Sequence, residues 1–459
     1  MIDGLKPYAA HKDSGSKWLG EVPEGWEVRN LRTLVGKRTE RNCPDLPLLS
    51  VAREKGVFVR SLTDSGENHN VIPDDLSNYK VARAGDLVIN KMKAWQGSMG
   101  IAPCDGIVSP AYFVFDLRLA NAAFGQRLLR SSPYVTHFAQ ASDGVRIGQW
   151  DLSIPGMREI PVLIPPTDEQ AAIVRFLEHA NRKIDGFIRA KRKLIALLNE
   201  QKQAIIHRAV TRGLNPDAPL KPSGVEWLGD IPAHWKVRRI KYLLREVDQR
   251  STSGKETLLS MRMHHGLVVF AEHFTRPPQA ASLVGFKVVS PGQLVVNRMQ
   301  AGNGVIYPSH LDGLVSPDYA VFDAIADVNI DYLGELFRSR SARVKFRSES
   351  KGLGTGTSGF LRLYNDRFGA IHVPVPPRRE QDSLLRGIAE QCGTLDLAAT
   401  RTEREIALMQ EYRTRLTTDI VTGKLDVRAA VATLPQVADA ATDEPIIDVP
   451  IDELEYEDA

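Results

Sequence analysis

The stretch SGSKWLGEVPEGWEV, beginning at Ser14, returns as SGVEWLGDIPAHWKV, beginning at Ser223, 209 residues later. A period that long exceeds any solenoid repeat and matches a whole domain plus a connector, so the chain reads as a tandem duplication. The copies stay parallel through LLSVAREKGVFV from Leu48 against LLSMRMHHGLVV from Leu258. GDLVINKMKAWQGSMGIAPCDGIVSPAYFVFD from Gly85 then meets GQLVVNRMQAGNGVIYPSHLDGLVSPDYAVFD from Gly292, identical at 16 of 32 positions, and IPPTDEQ from Ile164 meets VPPRREQ from Val375. The offset moves from 209 through 210 and 207 to 211. Insertions therefore fall about Arg60 to Arg83 and about Ile325 to Arg367, intervals expected to be surface loops.

Within each copy the periodicity changes once. Short β-rich runs such as PLLSV, LVINKM and SPAYFVFDL, punctuated by Gly, Pro and Asp, predict strands. After the Pro-Pro pair the pattern is helical. Thr167 with Gln170 predicts a capping box, and Ile173, Leu177, Ala180, Ile184, Phe187, Lys191, Leu194, Leu198, Gln201 and Ile205 form an expected seam, stopped at Gly213 and Pro216. Leu385, Ile388, Cys392, Leu395, Ala399, Thr402, Ile406, Met409, Leu416 and Ile420 repeat it up to Gly423. Helices of about 45 residues, roughly 65 Å, exceed a compact core, and one apolar stripe requires one partner. The economical arrangement packs the two on each other, although other chains would satisfy the stripes equally. The expected fold is α/β (α+β): globular domains at 1–165 and 214–376 alternate with long helices at 166–213 and 377–425, an antiparallel coiled coil with pseudo-twofold arrangement. Residues 426–459, rich in Ala, Pro, Asp and Glu, are assigned no structure.

Composition limits the function classes. With 43% hydrophobic and 25% charged residues, and no apolar run near the roughly 18 needed for a bilayer, the expectation is a soluble protein. The opening MIDGLKPYAAHKDSG has no basic-then-apolar segment, and Cys43, Cys104 and Cys392 lack CxxC spacing; both point to a cytoplasmic protein without a disulfide framework or zinc site. The net charge of +3 includes nine acids and no Lys or Arg in residues 439–458, so the rest carries +12, a balance suited to a polyanion.

The order WLGxxPxxW, GDLxxN, SPxYxVFD and PPxxEQ before a long helix, all present twice between about Ser14 and Leu425, resembles the DNA-specificity subunit of type I restriction-modification systems. The resemblance implies two target-recognition domains, each reading one part of a bipartite DNA site. It implies helices that set the spacing and dock two methyltransferase subunits, with motor-nuclease subunits joining for restriction. S-adenosylmethionine, ATP and Mg²⁺ would then belong to partner subunits, and this chain would hold no cofactor and no catalytic residue.

Domains that share a scaffold but read different sequences should differ in long polar side chains inside matched blocks. By that criterion the candidate DNA-binding residues are Lys91, Lys93 and Gln96 against Arg298, Gln300 and Asn303. A second set is Arg53 and Lys55 against Arg262 and His264. A third, in the loops before each helix, is Arg146 and Gln149 against Thr355 and Thr357. Arg and Lys pair with guanine edges and Gln or Asn with adenine, but each can equally hold phosphate or be solvated. The tryptophans Trp18, Trp26, Trp227 and Trp235 recur unchanged and are read as packing, not as stacking platforms.

Catalytic readings are weaker. GTGTSG at Gly354 spells GxGxxG without the strand-to-helix context of a dinucleotide site. Pro317-Asp318 with Glu349-Ser350-Lys351 fits the loose PD…ExK nuclease pattern, yet the matching position in copy one is Ala111. His264-His265 has no accompanying acids or thiols, and neither an Asn-Pro-Pro-aromatic loop nor GxxxxGK[ST] occurs. A stand-alone Mg²⁺-dependent endonuclease and a coiled-coil scaffold remain the alternatives.

Overall fold

A computed structural model describes residues 5–60, 72, 73, 75–146, 149–263, 265–275, 277–353 and 360–435. Among these, the chain divides into two compact units: unit 1 is residues 5–190 with 405–435, and unit 2 is residues 191–404.

Unit 1 is built on an antiparallel sheet of β1 (Val35–Lys37), β2 (Leu87–Asn90), β3 (Met99–Ile101) and β4 (Tyr112–Leu117), in the order β1-β4-β2-β3. Alternation along β2 explains why its apolar run is unbroken. Leu87 and Ile89 face a core shared with Phe124, Leu128, Tyr134 and Phe138 of two short helices, whereas Val88 faces a second core with Leu49, Val51 and Val57 of a hairpin. Both faces of the sheet are thus covered. Unit 2 repeats the plan with β5 (Leu244–Val247), β6 (Leu294–Asn297), β7 (Ile306–Pro308) and β8 (Tyr319–Ala324), ordered β5-β8-β6-β7, with Leu294 and Val296 on one core and Val295 on the other.

The long helices are α1 (Thr167–Arg212, 46 residues) and α2 (Arg378–Val421, 44 residues). In unit 1 the start of α1 packs on the end of α2: Ile173 and Leu177 share a core with Leu416 and Ile420, and Arg413 bonds Asp185. In unit 2 the end of α1 packs on the start of α2, with Ile206, Ala209 and Val210 beside Leu384, Ile388 and Cys392, and with Lys202 Nζ 2.6 Å from Asp396. The pairing is antiparallel in each unit.

The seam expected on α2 lies on its covered side. On α1 the expected seam drifts: Leu194 is 40% exposed and Gln201 is exposed, while Ile188, Ile195, Lys202 and Ile206 are buried or half-buried. The covered positions recur from Ile173 to Ala209 at about 3.6 residues per step, the period of an unsupercoiled helix, so a strict 3.5 repeat falls out of phase after two or three turns.

The doubled tryptophan motif is what fastens each helix start. Trp26, 1% exposed, donates from Nε1 to Glu169 Oε1 at 3.0 Å, and Trp235, fully buried, donates to Glu380 Oε1 at 2.9 Å. Tyr8 also donates to Glu169, and His234 Nε2 lies 2.7 Å from the other oxygen of Glu380. The neighbouring Gln170 and Gln381 donate to Pro165 O and Pro376 O at 2.8 Å and accept from the backbone N–H of Asn121 and Asn329. The expected capping box is therefore not formed, because the Gln170 amide is spent on tertiary bonds. Gly213 and Gly423, each at φ +77°, close α1 and α2 against the same tryptophans: a Cβ at Gly423 would sit 2.5 Å from Pro23 Cδ.

Two further expectations change. Residues 325–367 are not a loop but carry helices Ile330–Arg338 and Arg340–Glu349 and the hairpin Lys351–Leu353/Phe360–Arg362. Matched capping residues show where the offset shifts: it is 208 at Asn121/Asn329 and at Ser131/Ser339, and 211 where Leu152 and Leu363 accompany the hairpins. The length difference thus falls mainly within the hairpin. In the tail, order extends past 425. Asp426 bridges Lys6, Val427 is fully buried, Arg428–Ala432 is a helical turn, and Arg175 donates to Leu434 O and Pro435 O. Packing of Val427 and Val431 on unit 1 outweighs the polar composition there.

Replacing Glu169 with Leu leaves Trp26 Nε1 and the Tyr8 hydroxyl buried without an acceptor, at about 1–3 kcal/mol each. Urea unfolding followed by tryptophan fluorescence should show a clear drop in midpoint for Glu169→Leu, and almost none for the exposed Glu24→Ala. Equal midpoints would mean that the carboxylate contributes no stability.

Candidate nucleic-acid interface

In each unit the second sheet strand ends in a buried or half-buried asparagine that folds the chain into the next turn. Asn90 Oδ1 accepts from Met92 N at 3.2 Å, and Asn297 Oδ1 accepts from Met299 N at 3.1 Å. A 3-10 turn follows, Ala94–Gln96 or Ala301–Asn303, closed by Gly97 or Gly304, both at φ +84°. The two loops thus share one backbone and differ in side chains. Lys91 corresponds to Arg298, Lys93 to Gln300, Trp95 to Gly302 and Gln96 to Asn303.

The pre-helix hairpin attaches to this loop at the same atom in both copies. Leu152 N donates to Lys91 O at 2.9 Å, and Leu363 N donates to Arg298 O at 2.8 Å. Two of the three candidate groups are thereby brought together, since Arg146 pairs with Gln149 on the hairpin Ser142–Arg146/Gln149–Leu152. Thr355 and Thr357 lie outside the described residues, as does His264. The third group sits on the turns of the outer hairpins. Arg53 is exposed, its carbonyl held by Arg130, Lys55 Nζ lies 5.4 Å over the Phe58 ring, and Arg262 lies 5.2 Å over Phe274. In unit 2 that turn reaches the loop: Met263 and Asn303 line one cavity of about 610 Å³ with Tyr307, Arg338 and Cys392.

Side-chain partners divide the loop residues further. Lys91 Nζ is 2.9 Å from Asp151, and Trp150 packs edge-on to Trp95 at 5.1 Å between centroids. In unit 2 Arg298 Nε donates to Asp318 O at 2.8 Å, Arg362 lies 3.6 Å from the Asp318 carboxylate, and Asn303 accepts from Arg347 at 2.9 Å. Burial, and then the nearby Arg362, pull the Arg298 guanidinium below its ordinary value. Lys93 is exposed, Gln96 and Gln300 half-buried. Asp151 and Arg362, which occupy matched hairpin positions next to Leu152 and Leu363, were not singled out from sequence. The matched leucines were the signal that could have placed them.

Each of the nuclease-like carboxylates is engaged by basic side chains. Glu349 is held by Lys345 at 2.6 Å and lies 3.7 Å from Arg367, while Asp318 faces Arg362. Among the described residues no three His, Cys, Asp or Glu side chains are grouped to hold a metal, and no helix is long and apolar enough to cross a membrane.

No family model matches the sequence. The chain is 20% identical over 440 residues to the type I restriction enzyme MjaX specificity subunit of Methanocaldococcus jannaschii, covering 89% of this chain and 96% of that one. It superposes on a chain from a structure addressing complex assembly and conformational transition of a type I R-M system, with TM-score 0.59, 15% identity and coverage of 87% and 98%. An HsdS subunit from Thermoanaerobacter tengcongensis aligns at TM-score 0.43 and 16% identity, over 87% of this chain and 96% of that one. Along most of its length the chain is thus similar in sequence to a type I restriction enzyme specificity subunit, and it shares its fold with a chain of a type I R-M system.

Proposed function

We propose that the chain is the DNA-reading subunit of a type I restriction-modification complex, recognising a bipartite, asymmetric site and carrying no reaction centre of its own. The observation that supports this best is the loop-and-hairpin edge, built twice on one backbone with different side chains: a constant support under variable donors is what two different base readouts require. Unit 1 would present Lys91, Lys93, Gln96, Arg146 and Gln149 to one half-site, and unit 2 would present Arg298, Gln300 and Asn303 to the other. Arg53, Lys55 and Arg262 flank these on the outer hairpins.

Partners follow from the helices. Leu197 and Leu408 are matched at the offset of 211, and both are solvent-facing, 52% and 59% exposed. One equivalent apolar position in each unit suits two copies of one partner, the methyltransferase subunit, with motor-nuclease subunits joining the assembly. S-adenosylmethionine, ATP and Mg²⁺ would act on those partners.

Mapping methylated adenines genome-wide, in cells with and without the chain, tests the proposal directly: a gapped motif should vanish with the chain, and an unchanged map refutes the reading. Glu at both Leu197 and Leu408 should abolish co-purification of the methyltransferase, while either change alone should leave one copy bound. Four residues inserted after Leu198 lengthen the helix by about 6 Å. At about 3.4 Å per base pair, the gap in the motif should grow by one or two base pairs with both half-sites unchanged. Retained methylation with the old gap would rule out the helices as the ruler. If Arg298 reads a guanine, Arg298→Ala should cost about 1–3 kcal/mol and relax one position of the second half-site. Unchanged affinity and motif would remove Arg298 from the interface.

A further inference from the structure

The two units carry one lysine at the same place in the backbone but surround it with opposite charge. Lys80 opens the strand Lys80–Ala82, pairs with Val108 and bridges Arg41; Lys287 opens Lys287–Val289, pairs with Val315 and bridges Arg250. On the adjacent sheet strand, Lys37 in β1 lies opposite Phe115, and its match, Glu246 in β5, lies opposite Phe322. Two residues on, Thr39 matches Asp248.

In unit 2 this pairing is closed. Lys287, whose side chain is 4% exposed, has Nζ 3.4 Å from Glu246 and 3.3 Å from Asp248. In unit 1 no carboxylate is paired with Lys37, Arg41 or Lys80 among the described residues. Lys80 donates to Tyr112 O and lies 5.9 Å over the Phe113 ring, and Arg41 donates to Asn78. Burial, and then the charges of Arg41, Lys37 and Lys91, depress the Lys80 pKa. Among the described residues Lys91 is paired with one carboxylate, Asp151. A cluster of cations held together at a cost in mutual repulsion is relieved by an anion.

We propose that Lys37, Arg41, Lys80 and Lys91 form a DNA phosphate-binding site of unit 1 that unit 2 lacks, so that the two half-sites are held with unequal electrostatic strength. The site rests on the DNA-reading function proposed above and adjoins the Lys91 loop, where a phosphate contact would fix the register of the readers without itself selecting a base. Each phosphate contact contributes about one unit to the slope of log affinity against log salt.

The test grafts the unit 2 acids onto unit 1 as Lys37→Glu with Thr39→Asp, both exposed positions, in the assembled complex. Binding to a mixed-sequence duplex is followed by fluorescence anisotropy across a salt series. The slope should fall by about one to two units while the methylated motif in cells stays the same. Lys80→Gln should lower it by about one, and Glu246→Lys with Asp248→Thr should raise it by a similar amount. An unchanged slope in the Lys37→Glu, Thr39→Asp and Lys80→Gln variants overturns the site. An altered first half-site overturns it too, since the cluster would then read bases. Absence of binding by the unmodified complex would sink the DNA-reading function itself, which the salt comparison between variants cannot do.

Discussion

A buried indole N–H that finds its acceptor on the first turn of a long helix is the contact on which each unit depends. Trp26 and Trp235 are large, fully enclosed and bonded to Glu169 and Glu380. The carboxylate also lies on the first turn, at the positive end of the helix dipole, an attractive position for an acceptor. The adjoining glutamine ties the same turn to the start of a short helix on the sheet. Sheet, helix start and the end of the other helix thereby meet around one side chain. The loops that could contact a ligand lie away from this junction, so their residues can change without disturbing it.

This separation explains what was legible in the sequence. The duplication, the strand blocks and both helix stops are encoded by residues that must be kept: Trp, the Pro-Pro pair, Glu-Gln and glycines at positive φ. They recur in order and can be matched by eye. The covered side of α1 departs from the strict repeat at Leu194 and Gln201 because apolar residues are available in two phases there, and only the packed partner selects one. The helices within 325–367 are hidden from a comparison of the copies because the offset shift localises only to that interval, although it falls mainly within one hairpin. Tertiary placement of the tail at Val427 left no periodic signal at all.

The candidate site was legible by subtraction. Positions that differ within matched blocks, Lys91 and Arg298 above all, do occupy one shared backbone conformation. Their partners were invisible: nothing in the sequence says that Asp151 lies on Lys91 or that Arg362 stands beside Arg298. Those pairings arise because a hairpin distant in sequence donates a backbone hydrogen bond to the loop. Such contacts set how many charges remain free for a ligand, and that number differs between the units even where the backbones agree.

Within unit 1 an antiparallel β-bridge stitches Lys6 to Asp426, residues far apart in sequence. The segment that follows Gly213 in unit 2 enters its domain directly from α1, whereas in unit 1 the corresponding segment, Leu5 to Tyr8, lies beside the residues that leave α2. The same kind of junction is thus made by continuous backbone in unit 2 and by two stretches far apart in sequence in unit 1. In unit 1 it is held by hydrogen bonds such as Asp426 N–H to Lys6 O, so its strength is set by side-chain packing and backbone pairing and not by the covalent chain.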